Sequence, residues 1–435
     1  MINILLVGSG AREVAMARKI KESSLESSLF CVAPSTNPQI KKMSFAYFEQ
    51  SLDDIFSVVA VAKKISANIA IIGPENPLEL GLVDALEKEG IACVGPRRAV
   101  AKIETSKAFA RNILDSCAPE KNPKRREFSS LDGCEGFLKH LGGDYVIKYD
   151  GLMGGKGVKI SGEHLLSVDD ALLYAKSIVD FGGSFLVEER LLGEEFSLMS
   201  FCDGEHCAHM PVVQDHKRAF EGDVGPNTGG MGTYSFGNHS LPFLSEKNVL
   251  DAQKTNEKVA LELEKQTGQK FRGFLYGGFM LTSSGVKVIE YNARLGDPEA
   301  MNVLAVLETD FIKICQSIVG GTLADLGVSF SKKATVCKYV VPEGYPENPS
   351  TNFEVFCNPE NKNLYLAAVQ EKDGAIFATG SRTAAFVGTN KDIAVAENLA
   401  ELGVSEIGGD LFHRKDIGTS ALIKGRINHM KEVLG

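Results

Sequence analysis

Residues able to do chemistry concentrate near position 290 of this 435-residue chain. The run Val286-Lys287-Val288-Ile289-Glu290-Tyr291-Asn292-Ala293-Arg294 alternates like a strand, whose side chains repeat every two residues. Glu290, Asn292 and Arg294 then share one face. A carboxylate beside an amide oxygen suits Mg²⁺, which takes few protein ligands and keeps waters and nucleotide phosphates. Arg294 beside such an ion would clamp a carboxylate or a transferring phosphoryl group. The turn Gly296-Asp297-Pro298-Glu299 adds two acids close by. A polar strand face with its own hydrogen-bond network is the alternative.

Anion-binding segments lie elsewhere in the chain. In Val146-Ile147-Lys148-Tyr149-Asp150-Gly151-Leu152-Met153-Gly154-Gly155-Lys156-Gly157-Val158 a strand delivers Lys148 and a loop of four glycines carries Lys156. Glycines permit consecutive N–H groups to converge on an anion. This is not a Walker A loop, because Gly157 stands where Ser or Thr is required. Gly8-Ser9-Gly10-Ala11-Arg12-Glu13 follows a strand and opens a helix, so a phosphate could sit there. It fails as a dinucleotide motif: Glu13 replaces the third glycine, and the second strand ends in Ala33-Pro34-Ser35 without a ribose-binding acid. An ordinary tight turn is the alternative.

Leu186-Val187-Glu188-Glu189-Arg190-Leu191-Leu192-Gly193-Glu194-Glu195 reads as strand, bend and strand. Extended backbone can meet an adenine edge, and a carboxylate further on can accept from ribose hydroxyls. Gln214-Asp215-His216-Lys217-Arg218 packs charge into five residues, and Gly225–Gly232 is too glycine-rich for a regular element. His216 receives no role. Gly-x-Ser-x-Gly and His-Glu-x-x-His are absent, which removes support for covalent hydrolase and zinc protease chemistry.

The elements that must position these groups follow from periodicity. Strands at 2–7, 29–33, 69–72 and 91–94 alternate with helices, including ones around 52–66 and 78–89, so a parallel sheet with both faces covered is expected. The basic stretch 119–126 reads as a hinge or surface crossing. Strands and turns are expected over 145–200, a long helix over 248–267, strands over 273–292, and a junction at 320–333. At 44% hydrophobic residues the length supports about three domains, set at 1–102 (Rossmann-like), 103–325 (central) and 326–435 (C-terminal).

A net charge of −9 argues against nucleic acid, and no apolar run predicts a membrane span. The N-terminus lacks the pattern of a signal peptide. Nine cysteines without Cys-x-x-Cys predict reduced thiols and a cytoplasmic location.

In order, Gly-x-Gly-x-Arg-Glu, Gly-Pro-Glu-x-Pro-Leu, Ser106-Lys107, Val-Ile-Lys-x-Asp-Gly-Leu, Gly-Lys-Gly-Val, Gln-Asp-His-Lys-Arg, Gly-Pro-Asn-Thr-Gly-Gly-Met-Gly and Gly-Asp-Pro-Glu resemble the glycinamide ribonucleotide synthetase family of the ATP-grasp superfamily. The match runs from residue 2 to about 311 and resumes at Thr379–Arg382 and Arg414–Gly418. Ala11, Val14, Tyr149, Met153-Gly154 and the stretch from Val336 depart from the family pattern.

The resemblance implies an ATP-grasp fold, with a mobile lid at about 124–187 in the second domain, that joins glycine to 5-phosphoribosylamine with ATP and Mg²⁺, Mn²⁺ being an alternative ion. It assigns Lys107, Lys148 and the loop Gly151, Gly154, Gly155, Lys156 and Gly157 to ATP phosphates. Glu188, Glu189 and Leu191 would line the adenine, with Glu195 at the ribose. Glu290 and Asn292 would hold the metal, and Arg294 and Asp297 would act on the reacting carboxylate and amine. Substrate contacts would come from Gly10, Arg12, Glu13, Glu75, Asp215, Lys217, Arg218, Gly229, Gly230 and Arg382, with Arg414 a further candidate for the sugar phosphate. A monomer or weak homodimer is expected. Rival readings are another ATP-grasp carboxylate–amine ligase, an NAD-binding oxidoreductase, and a nucleotide-sensing protein without turnover.

Overall fold

The computed structural model describes residues 1–153 and 157–435; Gly154, Gly155 and Lys156 lie outside the described residues. Strands β1 (Ile2–Val7), β2 (Ser27–Ala33), β3 (Ala46–Glu49), β4 (Ile69–Ile72) and β5 (Ala92–Val94) form a parallel sheet in the order β3–β2–β1–β4–β5. Helices α1 (Ala11–Lys21), α2 (Pro38–Met43), α3 (Ile55–Lys64), α4 (Glu75–Leu80) and α5 (Leu82–Lys88) separate the strands. Alternate residues feed two cores. Leu5, Val7 and Ile72 join one cluster, while Ile4, Leu6 and Ile71 join the other, so both faces are dry. The helix expected over 78–89 is two helices, because Gly81 turns left-handed at φ 86°. Strand β3 escaped the sequence reading because four half-exposed edge residues carry no clear alternation.

Helices α6 (Arg98–Thr105) and α7 (Lys107–Cys117) lead to a small antiparallel sheet. It comprises β6 (Arg125–Phe128), β7 (Tyr145–Tyr149), β8 (Val158–Ile160) and β9 (Phe185–Glu189), ordered β6–β9–β7–β8. Helices α8 (Cys134–His140) and α9 (Val168–Asp180) cover it around Phe128, Leu138, Ile147, Ile178 and Phe185. Helix α9 corrects the expectation that strands and turns dominate 145–200. Its start is encoded by a capping box, in which the Ser167 side chain accepts from the Asp170 amide and Asp170 returns to the Ser167 amide.

Strands β10 (Gly193–Asp203), β11 (Cys207–His209), β12 (Gln214–Asp215), β13 (Arg218–Phe220), β14 (Val224–Asn227) and β15 (Gly232–Ser235) follow. Then come α10 (Glu246–Thr267), β16 (Arg272–Thr282), β17 (Gly285–Asn292), α11 (Glu299–Ala305) and α12 (Phe311–Gly320). A larger antiparallel sheet runs β11–β10–β16–β17, with β17 at its edge. Phe279 of β16 pairs with Val288 and Gly278 pairs with Glu290, so Ile289 is an extra residue, a β-bulge.

The remaining elements are β18 (Ala334–Pro342), β19 (Leu364–Leu366), β20 (Val369–Lys372), β21 (Ala375–Ala378), β22 (Ala384–Asn390), α13 (Ile393–Ser405), β23 (Leu411–His413) and α14 (Ser420–Leu434). They share a sheet with the middle of the chain, in the order β12–β15–β18–β22–β19, with β23 also on β18. At the centre of β18, in the stretch that departs from the family pattern, the wholly buried Lys338 spends all three ammonium protons. It donates to Glu397 Oε1 at 2.6 Å, Glu401 Oε2 at 2.7 Å and the Lys415 carbonyl at 2.8 Å. Removing one partner of a buried ion pair leaves the other uncompensated. Lys338→Met is therefore expected to lower unfolding free energy by ~3 kcal/mol, read by urea denaturation.

Candidate active site

A cavity of about 1120 Å³ opens between the small sheet, the larger sheet and the carboxyl end of β4. Its walls include Glu290, Asn292 and Arg294 from β17 and the turn beyond. The bulge makes this possible. Unbroken alternation would put Glu290 and Asn292 on the same side as Val286 and Val288, which are buried in the core. The extra residue at Ile289 shifts the phase, so Tyr291 enters the core while Glu290 and Asn292 line the cavity. Lys217 Nζ lies 3.5 Å from Glu290 Oε1 and 3.5 Å from Glu195 Oε2. Lys217, opposed by burial and aided by Lys148 and Lys107, holds the Glu290 carboxyl at about 2.

Behind Glu290 sits a buried ion cluster. Lys148 Nζ pairs with Glu188 Oε2 at 2.8 Å and donates to the Ile289 carbonyl at 3.2 Å. Arg111 of α7 forks onto the same carboxylate, Nε to Oε1 at 2.6 Å and Nη2 to Oε2 at 2.8 Å. Burial pushes the Glu188 carboxyl up, but Arg111 and Lys148 outweigh it and hold it at about 2. Lys107 opens α7 and donates to the Gly151 carbonyl at 3.0 Å, while Asp150 accepts from the Ala108 amide at 3.1 Å. That carboxylate at a helix N-terminus ties the start of the glycine loop to α7. The Gly157 carbonyl closes the β7–β8 hairpin by accepting from the Tyr149 amide.

Glu189, Leu191 and Glu195 line the side of the cavity where β9 passes into β10. The Glu189 carboxylate accepts from the Lys124 amide at 2.9 Å and its own amide donates to the Lys124 carbonyl at 2.9 Å, so both groups are committed to that neighbour. Neighbouring Glu194 is buried in the same wall, accepting from Gln214 Nε2 at 3.0 Å and meeting His429 Nδ1 at 2.6 Å and Arg426 Nη1 at 3.4 Å from α14.

At the opposite end Arg294 is held by two acids and a carbonyl. Its Nε donates to Glu75 at 3.3 Å, its Nη1 to the Leu295 carbonyl at 3.1 Å, and its Nη2 meets Glu104 Oε1 at 3.1 Å. A guanidinium has five N–H groups, so two remain uncommitted among the described residues. Burial would lower its basicity, but Glu104 and Glu75 raise it further, so the charge is permanent. Asp297 Oδ1 accepts from the Tyr339 hydroxyl at 2.6 Å and lies 3.3 Å from Arg382 Nη2. Arg382 also donates to the carbonyls of Gly229, Gly230 and Asp297 at 2.7, 3.1 and 2.7 Å, and lies over the Tyr339 ring. Gly230 has φ 112°, and a Cβ there would stand 2.6 Å from Pro298 Cδ and 2.7 Å from Asp215 Oδ1. Burial and then Glu299 push the Asp215 carboxyl well above the usual range.

Several expected residues serve the scaffold. The Gly10 amide donates to Glu13 Oε2 at 2.6 Å, and Arg12 Nε donates to Glu13 Oε1 at 2.7 Å. Glu13 thus fills the first glycine turn itself. Arg12 reaches the cavity wall while donating to the Leu295 carbonyl at 2.9 Å. Arg218 lines the cavity and pairs with Glu163. Arg414 is buried against Asp223 and Asp416, so its guanidinium is spent. Buried His216 donates through Nδ1 to the Gly232 carbonyl, and burial, Arg426 and Arg414 push its imidazole down to about 3. Sequence reasoning missed Glu104, Arg111 and Tyr339. Each acts through a residue distant in the chain, and no local motif marks it.

The buried Lys148 and the half-buried Lys107, beside a strand that bears a carboxylate and an amide, fit an ATP-grasp ligase. Residues 2–104, 105–300 and 335–420 match the family models for the N domain, the ATP-grasp (A) domain and the C domain of phosphoribosylglycinamide synthetase. The chain belongs to that family. Phosphoribosylamine–glycine ligase of Methanosarcina barkeri is 45% identical over 435 residues, covering 100% of both chains. The ligase of Methanococcus maripaludis is 44% identical over 444 residues, covering 99% of this chain and 100% of its own. The crystal structure of phosphoribosylamine–glycine ligase from Thermotoga maritima superposes with a TM-score of 0.80 at 25% identity, covering 95% of this chain and 100% of that one.

Because the folded Glu188 carboxyl titrates at about 2, below its ordinary 4.5, its contribution to stability is complete above pH 4.5 and is lost as pH falls towards 2. Urea unfolding from pH 5 to 3 should show a steeper loss of stability for the wild type than for Glu188→Gln. The full contribution is on the order of 3 kcal/mol.

Proposed function

We propose that this cavity joins glycine to 5-phosphoribosylamine with ATP, the phosphoribosylamine–glycine ligase activity of its relatives in purine biosynthesis. The observation that carries this reading is the convergence of Lys107, Lys148, Glu290, Asn292 and Arg294 on one cavity. An unactivated carboxylate does not accept an amine, because oxide is a poor leaving group. The glycine carboxylate attacks the γ-phosphorus of ATP, ADP leaves, and glycyl phosphate forms. The amine of phosphoribosylamine then attacks the glycyl carbonyl, phosphate leaves, and glycinamide ribonucleotide results. No covalent enzyme intermediate is required, so positioning and charge stabilisation are the protein's task.

The residues divide along the cavity. Lys107 and Lys148 meet the ATP phosphates; Gly154, Gly155 and Lys156, expected at the same phosphates, lie outside the described residues. Backbone from Glu188 to Leu191 meets the adenine, and Glu195 meets the ribose. Glu290 and Asn292 fit Mg²⁺, or Mn²⁺, because both offer hard oxygen donors from the cavity wall. Among the described residues no cluster of three acids, histidines or cysteines completes such a site, which leaves positions for phosphates and water. The ion supplies charge neutralisation on the transferring phosphoryl group. Two free N–H groups of Arg294 orient the glycine carboxylate, and Asp297, fixed by Tyr339 and Arg382, faces the attacking amine. Asp215, Lys217, Arg218, Gly229 and Gly230 shape the acceptor side.

We divide the chain at 1–102, 103–325 and 326–435, and read the enzyme as cytoplasmic, a monomer or weak homodimer, without nucleic-acid partners. No helix among the described residues is long and apolar enough to cross a membrane.

ADP release measured with glycine alone, then with phosphoribosylamine added, tests the assignment. Sustained turnover requires both substrates, and glycine-independent turnover would reject it. Arg294→Ala should lower kcat about a hundredfold, ~3 kcal/mol in the barrier, and full turnover in that variant would remove its role.

A further inference from the structure

Arg111 is the most heavily committed side chain at the joint between the two antiparallel sheets. Besides the fork onto Glu188, its Nη1 donates to the Val288 carbonyl at 2.9 Å and its Nη2 to the Ile289 carbonyl at 2.8 Å. The Asn122 amide oxygen, 3.4 Å from Nη1, takes the remaining N–H. All five guanidinium protons are thus used, with the side chain 4% exposed. The two carbonyls flank the bulge on the edge strand β17, where no further strand satisfies them. Lys148 Nζ shares the Ile289 carbonyl and the Glu188 carboxylate. Strand β9, by contrast, is paired on both sides, by β6 and β7. Its backbone does not need Arg111; the bulge does.

We infer that Arg111 is a positioning residue for the phosphate and metal end of the cavity. It pins the Ile289 bulge and the Glu188–Lys148 pair together, so that the Lys148 ammonium and the Glu290 carboxylate face the same ligand atoms. It touches no substrate itself. Lysine cannot replace it, because three donors from a point charge cannot fork a carboxylate and also bind two diverging carbonyls.

This inference rests on the nucleotide reading above, and the test separates the two. Wild type and Arg111→Lys are titrated calorimetrically with Mg²⁺ plus a non-hydrolysable ATP analogue, and separately with adenosine. Steady-state ADP release is measured alongside. Arg111→Lys should bind the analogue at least tenfold more weakly and adenosine within twofold of wild type. Its kcat should fall at least tenfold, with the KM for glycine unchanged. Wild-type affinity for the analogue, or an equal loss for analogue and adenosine, would overturn the assignment, the second by revealing general loosening. Should Arg111→Lys not fold, a crystal of the wild type with the analogue decides. The fork onto Glu188 and both carbonyls must persist there, with Lys148 and Glu290 directed at the phosphates or their ion, and a broken fork overturns the assignment. A wild type that binds adenosine but not the analogue would instead overturn the reading of the site.

Discussion

A strand shows alternate side chains to opposite sides, and an apolar core claims one of those sides. That constraint bears hardest on β17, which must bury Val286 and Val288 and still offer Glu290 and Asn292 to solvent. Without an extra residue, the acid and the amide would point into the hydrophobic layer. A buried carboxylate without partners is too costly to keep ionised. The bulge at Ile289 resolves the conflict by one residue, but it leaves carbonyls unpaired along the edge. Arg111 and Lys148 take them up, and Glu188 pairs with both cations. The edge of β17, Lys148 and the small sheet are therefore one electrostatic unit.

The other half of the site is assembled from distant parts of the chain. Glu75 comes from the helix after β4, Glu104 from α6, and together they hold Arg294. Tyr339 and Arg382 come from the last hundred residues and fix Asp297. Arg426 and His429 on the final helix hold Glu194, one residue before the acid assigned to the ribose. The C-terminal elements build the cavity rather than decorating it. Their carboxylates and cations compensate one another in a buried setting, where an unmatched charge would cost several kcal/mol.

Much of this was legible from residue order. Strands β1, β4 and β5 announce themselves by short apolar runs ending in glycine, and α10 by its length and spacing. Glu290 and Asn292 were placed on one face by assuming strict alternation, yet the phase of that alternation is set by a bulge that composition does not mark. Helix α9 was missed although Ser167 and Asp170 encode its start, because the strands on either side dominated the reading. Glu13 looked like a ligand-binding residue and instead satisfies the Gly10 amide. Arg111, Glu104 and Tyr339 are invisible locally, since their partners lie 77, 189 and 42 positions away.

The sheet that joins β12 and β15 to β18 means that covalent order and hydrogen-bonded order disagree about where one module stops. Cutting the chain ahead of β18 would expose the whole flank of β15, a row of unsatisfied amides and carbonyls that invites pairing with other molecules. The last quarter or so of the polypeptide is thus bound to the middle by ladder bonds rather than by surface contact alone. A shortened gene product would lose its solubility and its cavity together.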